Sequence, residues 1–241
     1  MTKPEQPFDP RPPVCVVSPH LDDAALSCAS FIHGHPGTTI VTVCAGVPAG
    51  PASEWDRATT GESVAEAAVG MRRAEDALAM ADLGATPVWL DLVDSQYGVG
   101  DVDGSAIVEA LRGAVARLRA SSIVGPIGVH HPDHVAISDA CLDLAADAEL
   151  DLYLYLEVPY ARTFPEEVGS RLQDLVTNTH ELTELRPIAE LDTGRKRRVA
   201  AHYASQLPHL AAAHFDFDLS LSDPERYWRV IPHRRPRRRR R

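Results

Sequence analysis

The stretch Val14-Cys15-Val16-Val17-Ser18-Pro19-His20-Leu21-Asp22-Asp23-Ala24-Ala25-Leu26 decides the fold. A short apolar run rich in β-branched residues gives way to a polar loop, and helical spacing then runs from Ala24 to Ile32, so the segment reads as strand, loop, helix. The same order recurs about 110 residues later: Ile123 to Val129 predicts a strand, His130-His131-Pro132-Asp133-His134 a loop, and His134 to Ala146 a helix. Between them lie predicted strands at Thr38 to Cys44 and Pro87 to Val93, and helices at Ser63 to Leu83, stopped by Gly84, and at Ala106 to Ala120, with Ile107, Leu111, Val115 and Leu118 on one face. Leu152 to Val158 reads as a fifth strand, and Ala45 to Gly61, with two prolines and three glycines, as a long loop. Strands alternating with helices predict an α/β fold with a mostly parallel sheet covered on both faces.

Beyond Tyr160 the alternation weakens. A polar stretch runs to about Asn178, a strand pair is expected across Thr179 to Leu191, and a helix from about Thr193 to Gln206; residues 207–233 show no clear period. This region reads as a small C-terminal appendage to the same domain. The expected organisation is a flexible lead over 1–13, which holds five prolines, one catalytic domain over 14–233, and a disordered Arg-rich tail over 234–241.

Composition narrows the function classes. The 241 residues are 44% hydrophobic and 24% charged, enough for one domain with a full core. The net charge is −10, yet seven of the 24 basic residues are arginines in the last eight positions, leaving 17 basic against 34 acidic and a body at −17. An acidic body argues against a nucleic-acid groove or docking on an anionic membrane. No run reaches the roughly 18 to 20 apolar residues of a membrane span, and the proline-rich start lacks the apolar heart of a signal peptide, so a cytoplasmic location is expected. Cys15, Cys28, Cys44 and Cys141 lie far apart inside apolar runs and read as buried free thiols.

Both polar loops follow strands, and open parallel sheets bind ligands at the carboxyl ends of their strands, so the two His/Asp clusters can converge on one site. Two imidazoles and a carboxylate are the protein donors of a catalytic zinc that keeps an open position. His20 and His134 supply two donors, and one of Asp22 and Asp23 the third, since adjacent aspartates on an ordinary backbone do not both reach one metal. The spare carboxylate can act as general base towards a metal-bound water. His131, three residues before His134, suits an oxyanion donor or general acid, and Asp133 suits a hydrogen bond that fixes an imidazole tautomer. His130 is open between rim packing and catalysis, and Trp55 in the long loop is a lid candidate. Iron(II) fits the same donor set as zinc.

These residues carry a resemblance. His20-x-Asp22-Asp23 together with His131-Pro132-Asp133-His134 resembles the PIG-L/LmbE-like family of zinc-dependent N-acetylglucosaminyl deacetylases, whose motifs are H-P-D-D-E and H-x-D-H. Leu21 and Ala24 depart from the first motif without removing a ligand or base. The resemblance spans roughly 14–206 and implies a Rossmann-like three-layer sandwich, zinc on His20, Asp23 and His134, Asp22 as base and His131 as acid or oxyanion donor. It also implies substrate-binding roles for Arg72, which with Glu75 matches an R-x-x-E, and for Asp94; some relatives carry a tyrosine where this chain has Val129. A salt bridge from Arg72 to Glu75 is the competing reading.

The expected activity is therefore hydrolytic removal of an N-acetyl group from an N-acetylglucosamine-containing small molecule or glycoside, by aspartate-assisted attack of metal-bound water. Two other readings stand beside it: an amidase for a larger N-acyl or thiol-conjugate metabolite, and a non-catalytic sugar-binding protein of the same fold. A nucleotide-dependent oxidoreductase is disfavoured because no G-x-G-x-x-G follows the first strand. The expected partner is a small amino-sugar substrate, with no nucleic acid, and a homo-oligomer is left open.

Overall fold

The five apolar runs form the centre of one sheet in the computed structural model, which describes residues 6–98, 103–147, 150–178, 180–187, 190–214 and 216–232. In chain order the elements are β1 (Pro7–Phe8), β2 (Val14–Ser18), α1 (Asp23–Gly34), β3 (Thr39–Thr42), α2 (Glu54–Thr60), α3 (Ala65–Leu83), β4 (Thr86–Trp89), α4 (Gly104–Leu118), β5 (Ser122–Pro126), α5 (Pro132–Asp147) and β6 (Asp151–Tyr155). There follow α6 (Tyr160–Thr163), α7 (Pro165–Asn178), β7 (His180–Pro187), α8 (Thr193–Ala200), α9 (Leu207–Ala213), α10 (Phe217–Ser220) and β8 (Tyr227–Pro232). The strand order is β1-β7-β8-β6-β5-β2-β3-β4, and among the described strands β8 alone runs antiparallel to its neighbours.

The order explains why two distant loops meet. From β2 the chain moves outward to β3 and β4, then returns to the other side of β2 for β5 and β6. The crevice between β2 and β5 is thus the point where the strand order reverses, the place where open α/β sheets bind ligands. Cys15 lies opposite Ile123 and Val16 opposite Val124, so the two polar loops leave neighbouring strands at the same level.

Burial follows the pattern in the sequence. Val14 to Ser18 and Ser122 to Pro126 are buried along their whole length, as expected for central parallel strands covered on both faces. Ile107, Leu111 and Val115 of α4 pack in a core cluster with Val17, Val41, Ile123 and Leu154, each such side chain contributing about 1.5–3 kcal/mol of burial. Helix α1 departs from helical geometry at Cys28 (φ −128°, ψ 17°), and the Glu225 carboxylate accepts the N–H groups of Ser30 (2.8 Å) and Phe31 (3.1 Å) just after the break. All four cysteines are free and buried. Among the described residues no helix is long and apolar enough to cross a membrane.

Several expectations change. The loop expected over 45–61 contains α2: Ser53 accepts the Asp56 N–H at 3.0 Å and Gly61 closes the other end in the left-handed region (φ 76°). The polar stretch before Asn178 contains α7, whose Val168, Leu172 and Leu175 reach the core at helical spacing. The strand pair expected across Thr179 to Leu191 is instead one strand, β7, paired with β1 and β8. The C-terminal appendage therefore extends the main sheet. Residues 7 and 8 belong to that sheet rather than to a flexible lead: Phe8 is buried and stacks on Tyr227, ring centroids 3.9 Å apart at 14°. The Arg-rich tail expected over 234–241 lies outside the described residues.

Candidate metal centre

The loop after β2 is folded by its own short polar side chains. Ser18 Oγ donates to the His20 carbonyl (2.6 Å) and accepts the Ala24 N–H (3.0 Å), while the His20 N–H donates to Asp23 Oδ2 (2.8 Å). These bonds turn His20 and Asp23 towards the β5 loop, where α5 presents His134.

Three donor atoms meet there. His20 Nδ1 lies 3.1 Å from His134 Nε2 and 3.3 Å from Asp23 Oδ2, and His134 Nε2 lies 3.2 Å from Asp23 Oδ2. This near-equilateral triangle matches the edge of about 3.3 Å expected between ligands of a tetrahedral ion with bonds of about 2.0–2.1 Å. The opposite ring nitrogen of His20 is spoken for: Nε2 lies 3.1 Å from Asp133 Oδ2, which also accepts the Ser95 N–H at 3.1 Å. A carboxylate behind one imidazole nitrogen leaves the other free to bind a metal. Two other groupings also fall within 4.8 Å, His20 with His131 and His134, and His20 with Asp94, His131 and Asp133. The first has no carboxylate, and the second would use the His20 nitrogen already facing Asp133, so the triangle is the better fit.

Behind His134 sits a residue that sequence reasoning passed over. Glu157, fully buried just after β6, accepts the N–H groups of Ile127 (3.1 Å), Gly128 (2.8 Å) and Val129 (3.2 Å), and its Oε1 faces His134 Nδ1 at 3.5 Å. His134 Nδ1 is otherwise buried without a hydrogen-bond partner. Gly128 lets the loop approach α5: its φ is +86°, and a Cβ there would stand 2.6 Å from Ser138 Cβ and 2.9 Å from the His134 carbonyl oxygen. The available signal for Glu157 was one carboxylate ending an otherwise apolar strand at the ligand-binding edge.

The electrostatics favour a cation. Asp22, Asp23, Asp94, Asp133 and Glu157 are all buried, and Arg72 is the only Arg or Lys among the described residues that line the cavity. Burial alone would lower the His20 and His134 pKa values, but the carboxylates outweigh it: Asp94, Asp133 and Asp23 raise His20 well above its usual value, and Asp23 and Glu157 bring His134 to about 9. Protons thus occupy positions that a divalent ion would take. Burial, reinforced by the Asp23 charge, pushes Asp22 up to about 6. Burial and the His20 and His134 charges pull His131 down to about 4. His131 Nδ1 accepts the Asp133 N–H at 3.3 Å, which places its proton on Nε2.

A cavity of about 410 Å³ opens over this centre, lined by His20, Asp22, Asp23 and His131, with Arg72 and Asp94. Asp133 and His134 are fully buried and do not line it. The Arg72 to Glu75 bridge is not formed: Arg72 donates to Asp56 at 3.1 Å, Asp56 also accepts from the Tyr97 hydroxyl, and Glu75 accepts from the Ser205 N–H and hydroxyl. Asp94 accepts both the N–H and side-chain amide of Gln96. His130 sits in the left-handed region (φ 67°), stacked on Phe164 with centroids 3.7 Å apart, so it is a rim residue. Trp55 lines the cavity from α2 and donates to Gln206 Oε1 at 2.8 Å. Tyr153 and Tyr155 are core, whereas Tyr160 faces the cavity.

Comparison with known proteins points the same way. Residues 15–145 match the family model PIG-L, described as GlcNAc-PI de-N-acetylase. No curated protein sequence matches the chain. Among solved structures, the zinc-inhibited form of teicoplanin deacetylase is similar at 20% identity, with a TM-score of 0.77, over 91% of this chain and 98% of that one. An antimicrobial pseudoaglycone deacetylase is similar at 25% identity and a TM-score of 0.71, over 92% of this chain and 98% of that one. An N,N'-diacetylchitobiose deacetylase from Pyrococcus horikoshii is similar at 16% identity and a TM-score of 0.55, over 93% of this chain and 88% of that one.

Proposed function

The chain belongs to the PIG-L family, described as GlcNAc-PI de-N-acetylase, and from that premise we propose that it is a metal-dependent hydrolase that removes the N-acetyl group of an N-acetylglucosamine-containing small molecule or glycoside. The observation that carries the reading is the donor triangle of His20 Nδ1, Asp23 Oδ2 and His134 Nε2, with His134 buried beneath a cavity that His20, Asp23, Asp22 and His131 line. Two imidazoles and a carboxylate suit zinc, and iron(II) in its place. When bound, such an ion would supply a Lewis acid that polarises the amide carbonyl and makes a water easier to deprotonate.

The remaining work falls to side chains. Asp22, with a pKa of about 6, is poised to accept a proton from the attacking water near neutral pH. His131, neutral at that pH and carrying its proton on Nε2, serves as a donor to the carbonyl oxygen as charge develops there. The proton taken by Asp22 then passes to the departing amine, giving free amine and acetate. Asp133 holds His20 and Glu157 holds the His134 loop, so the ligands are oriented before any ion arrives. Arg72 and Asp94 are placed to meet sugar hydroxyls at one side of the cavity.

Metal content and acetate release on the same preparations test the reading. The wild type should hold about one equivalent of zinc or iron and release acetate from N-acetylglucosaminides. Asp22→Asn should keep the metal and lose activity by about 10²–10⁴-fold; His134→Ala should lose both. Full activity in Asp22→Asn, or in the wild type stripped of metal, would refute it.

A further inference from the structure

Helix α3 is apolar on both of its sides. The inward side buries Val69, Ala79, Met80 and Leu83, with Arg72 and Asp76 among them. A surface helix ordinarily turns charged residues outward, and a helix apolar all round is one that is covered all round. The outward side of α3 departs from that rule. Val64, Met71 and Leu78 are exposed at 51%, 37% and 58%, and Ala67, Ala74 and Ala81 are exposed between them. The steps from Val64 to Ala81 alternate between three and four residues, the spacing by which one helix meets another along a straight seam. Nothing among the described residues covers that seam, which is about 26 Å long.

Two features identify what would cover it. Large and small side chains alternate along the seam: valine, alanine, methionine, alanine, leucine, alanine. When two such helices lie antiparallel about a two-fold axis, Val64 meets the partner's Ala81, Ala67 meets the partner's Leu78, and Met71 meets the partner's Ala74. Each large side chain then enters the space above a small one, which is how facing layers interdigitate. Parallel copies would set large against large and leave gaps at the alanines. The second feature is Gly70, exposed beside the seam in the middle of a 19-residue helix, where glycine is the poorest helix former after proline. A Cβ there would meet nothing within 4 Å, so nothing inside the chain requires so small a residue. The close approach of another backbone does. Ala77, two turns on, keeps the same edge of the seam small.

We infer that the outward face of α3 is the interface of a two-fold symmetric homodimer in which two copies of the helix pack antiparallel. Area sets its strength. At these exposures the face offers roughly 450 Å² per copy and about 900 Å² for the pair, at the low end for a specific interface, so the dissociation constant should be on the order of 10 µM. The pairing is independent of the chemistry in the cavity, which opens on the other side of α3.

Sedimentation equilibrium of the full chain from about 1 to 200 µM should show the mass rising from one chain to two. Raising the salt from about 20 to 300 mM should tighten the pair, because the seam holds no ion pair and two copies at −10 each repel one another. Leu78→Lys should weaken it by about 100-fold or more, since the leucine is buried twice in the dimer. Gly70→Leu should also abolish pairing, while its thermal midpoint at low concentration stays at or above that of the wild type, leucine being the better helix former.

Cross-linking reads the register. The four native cysteines are buried, so Ala74→Cys and Ala81→Cys each offer one exposed thiol to a short bifunctional maleimide. In the antiparallel pair the two copies of position 74 lie within one turn of each other, and the two copies of position 81 lie about 26 Å apart along the axis. A covalent dimer from Ala74→Cys and none from Ala81→Cys supports the proposal. Cross-linking at both positions, as a parallel pair gives, overturns it. So does a single chain at every concentration, which would leave the face to a different partner, or a dimer that survives both Leu78→Lys and Gly70→Leu.

Discussion

Replacing Glu157 by Gln tests whether the buried carboxylate builds the centre from behind. In the wild type it satisfies three backbone N–H groups at 2.8–3.2 Å, two on Oε1 and one on Oε2, with His134 Nδ1 at 3.5 Å from Oε1. A glutamine retains one acceptor oxygen and turns an amide NH₂ towards whichever N–H the other oxygen served. One buried donor is then left facing a donor, and the surviving bonds lose their charge assistance. Leaving a buried group unpaired costs about 1–3 kcal/mol, and a hydrogen bond to a charged group is worth about 1.5–3 kcal/mol, so the loss should fall near 3 kcal/mol. Zinc affinity should drop by about 10–100-fold, because the partner that aligns His134 is weakened. Urea denaturation of the chelator-treated protein reads the first quantity, and competition against a chromophoric zinc chelator the second. A wild-type midpoint together with zinc affinity within about twofold of wild type would refute the claim that Glu157 positions the loop, given that such partners ordinarily change affinity tenfold or more.

Gly128→Ala should be more severe than its size suggests. Left-handed backbone costs a non-glycine about 1–2 kcal/mol, and the new Cβ would stand 2.6 Å from Ser138 Cβ; a thermal midpoint unchanged from wild type would contradict this. Asp76 carries a pH signature. Burial pushes it from 3.8 to about 6 even though Trp89 Nε1 and the Tyr203 hydroxyl donate to it. Its pKa is raised on folding, so its contribution is fully present below about pH 4 and lost as pH rises through about 6. Asp76→Asn should therefore gain on the wild type between pH 4 and pH 7, by up to about 3 kcal/mol. A constant difference in unfolding free energy across that range would show that the carboxylate does not titrate there.

The legible part of this molecule was the part where information is local. The runs Val14 to Val17 and Ile123 to Val129, each followed by histidine and aspartate, carried strand, loop and helix in one reading, and parallel-sheet topology then predicted that the two clusters meet. Asp133 was legible too, as a carboxylate one position from a ligand, although it serves His20 rather than its sequence neighbour. What failed depended on distant partners. Strand β8 has the apolar content of a strand, but its neighbours in the sheet begin at Asp151 and His180, and nothing near Tyr227 announces them. Helix α2 hid among Pro48, Pro51 and three glycines because seven residues hold too few turns to show a period. Arg72 has a plausible partner three residues on, yet burial delivers it to Asp56 on another element.

The position of β8 has a consequence for how the chain acquires its shape. The strand that bridges β6 and β7 is the last one described, and β1, near the beginning, pairs only with β7. During synthesis, residues 14–155 can assemble β2 to β6 and bring both histidine loops together while the C-terminal strands are still being made. Phe8 meets Phe31 and Tyr153 earlier, with centroids 4.6 and 5.4 Å away, but its closest stack, on Tyr227, must wait until more than two hundred further residues have followed it. The oldest strand is thus the last to be seated, and closing that contact, the longest in sequence separation, is expected to be the slow step of an otherwise local folding reaction.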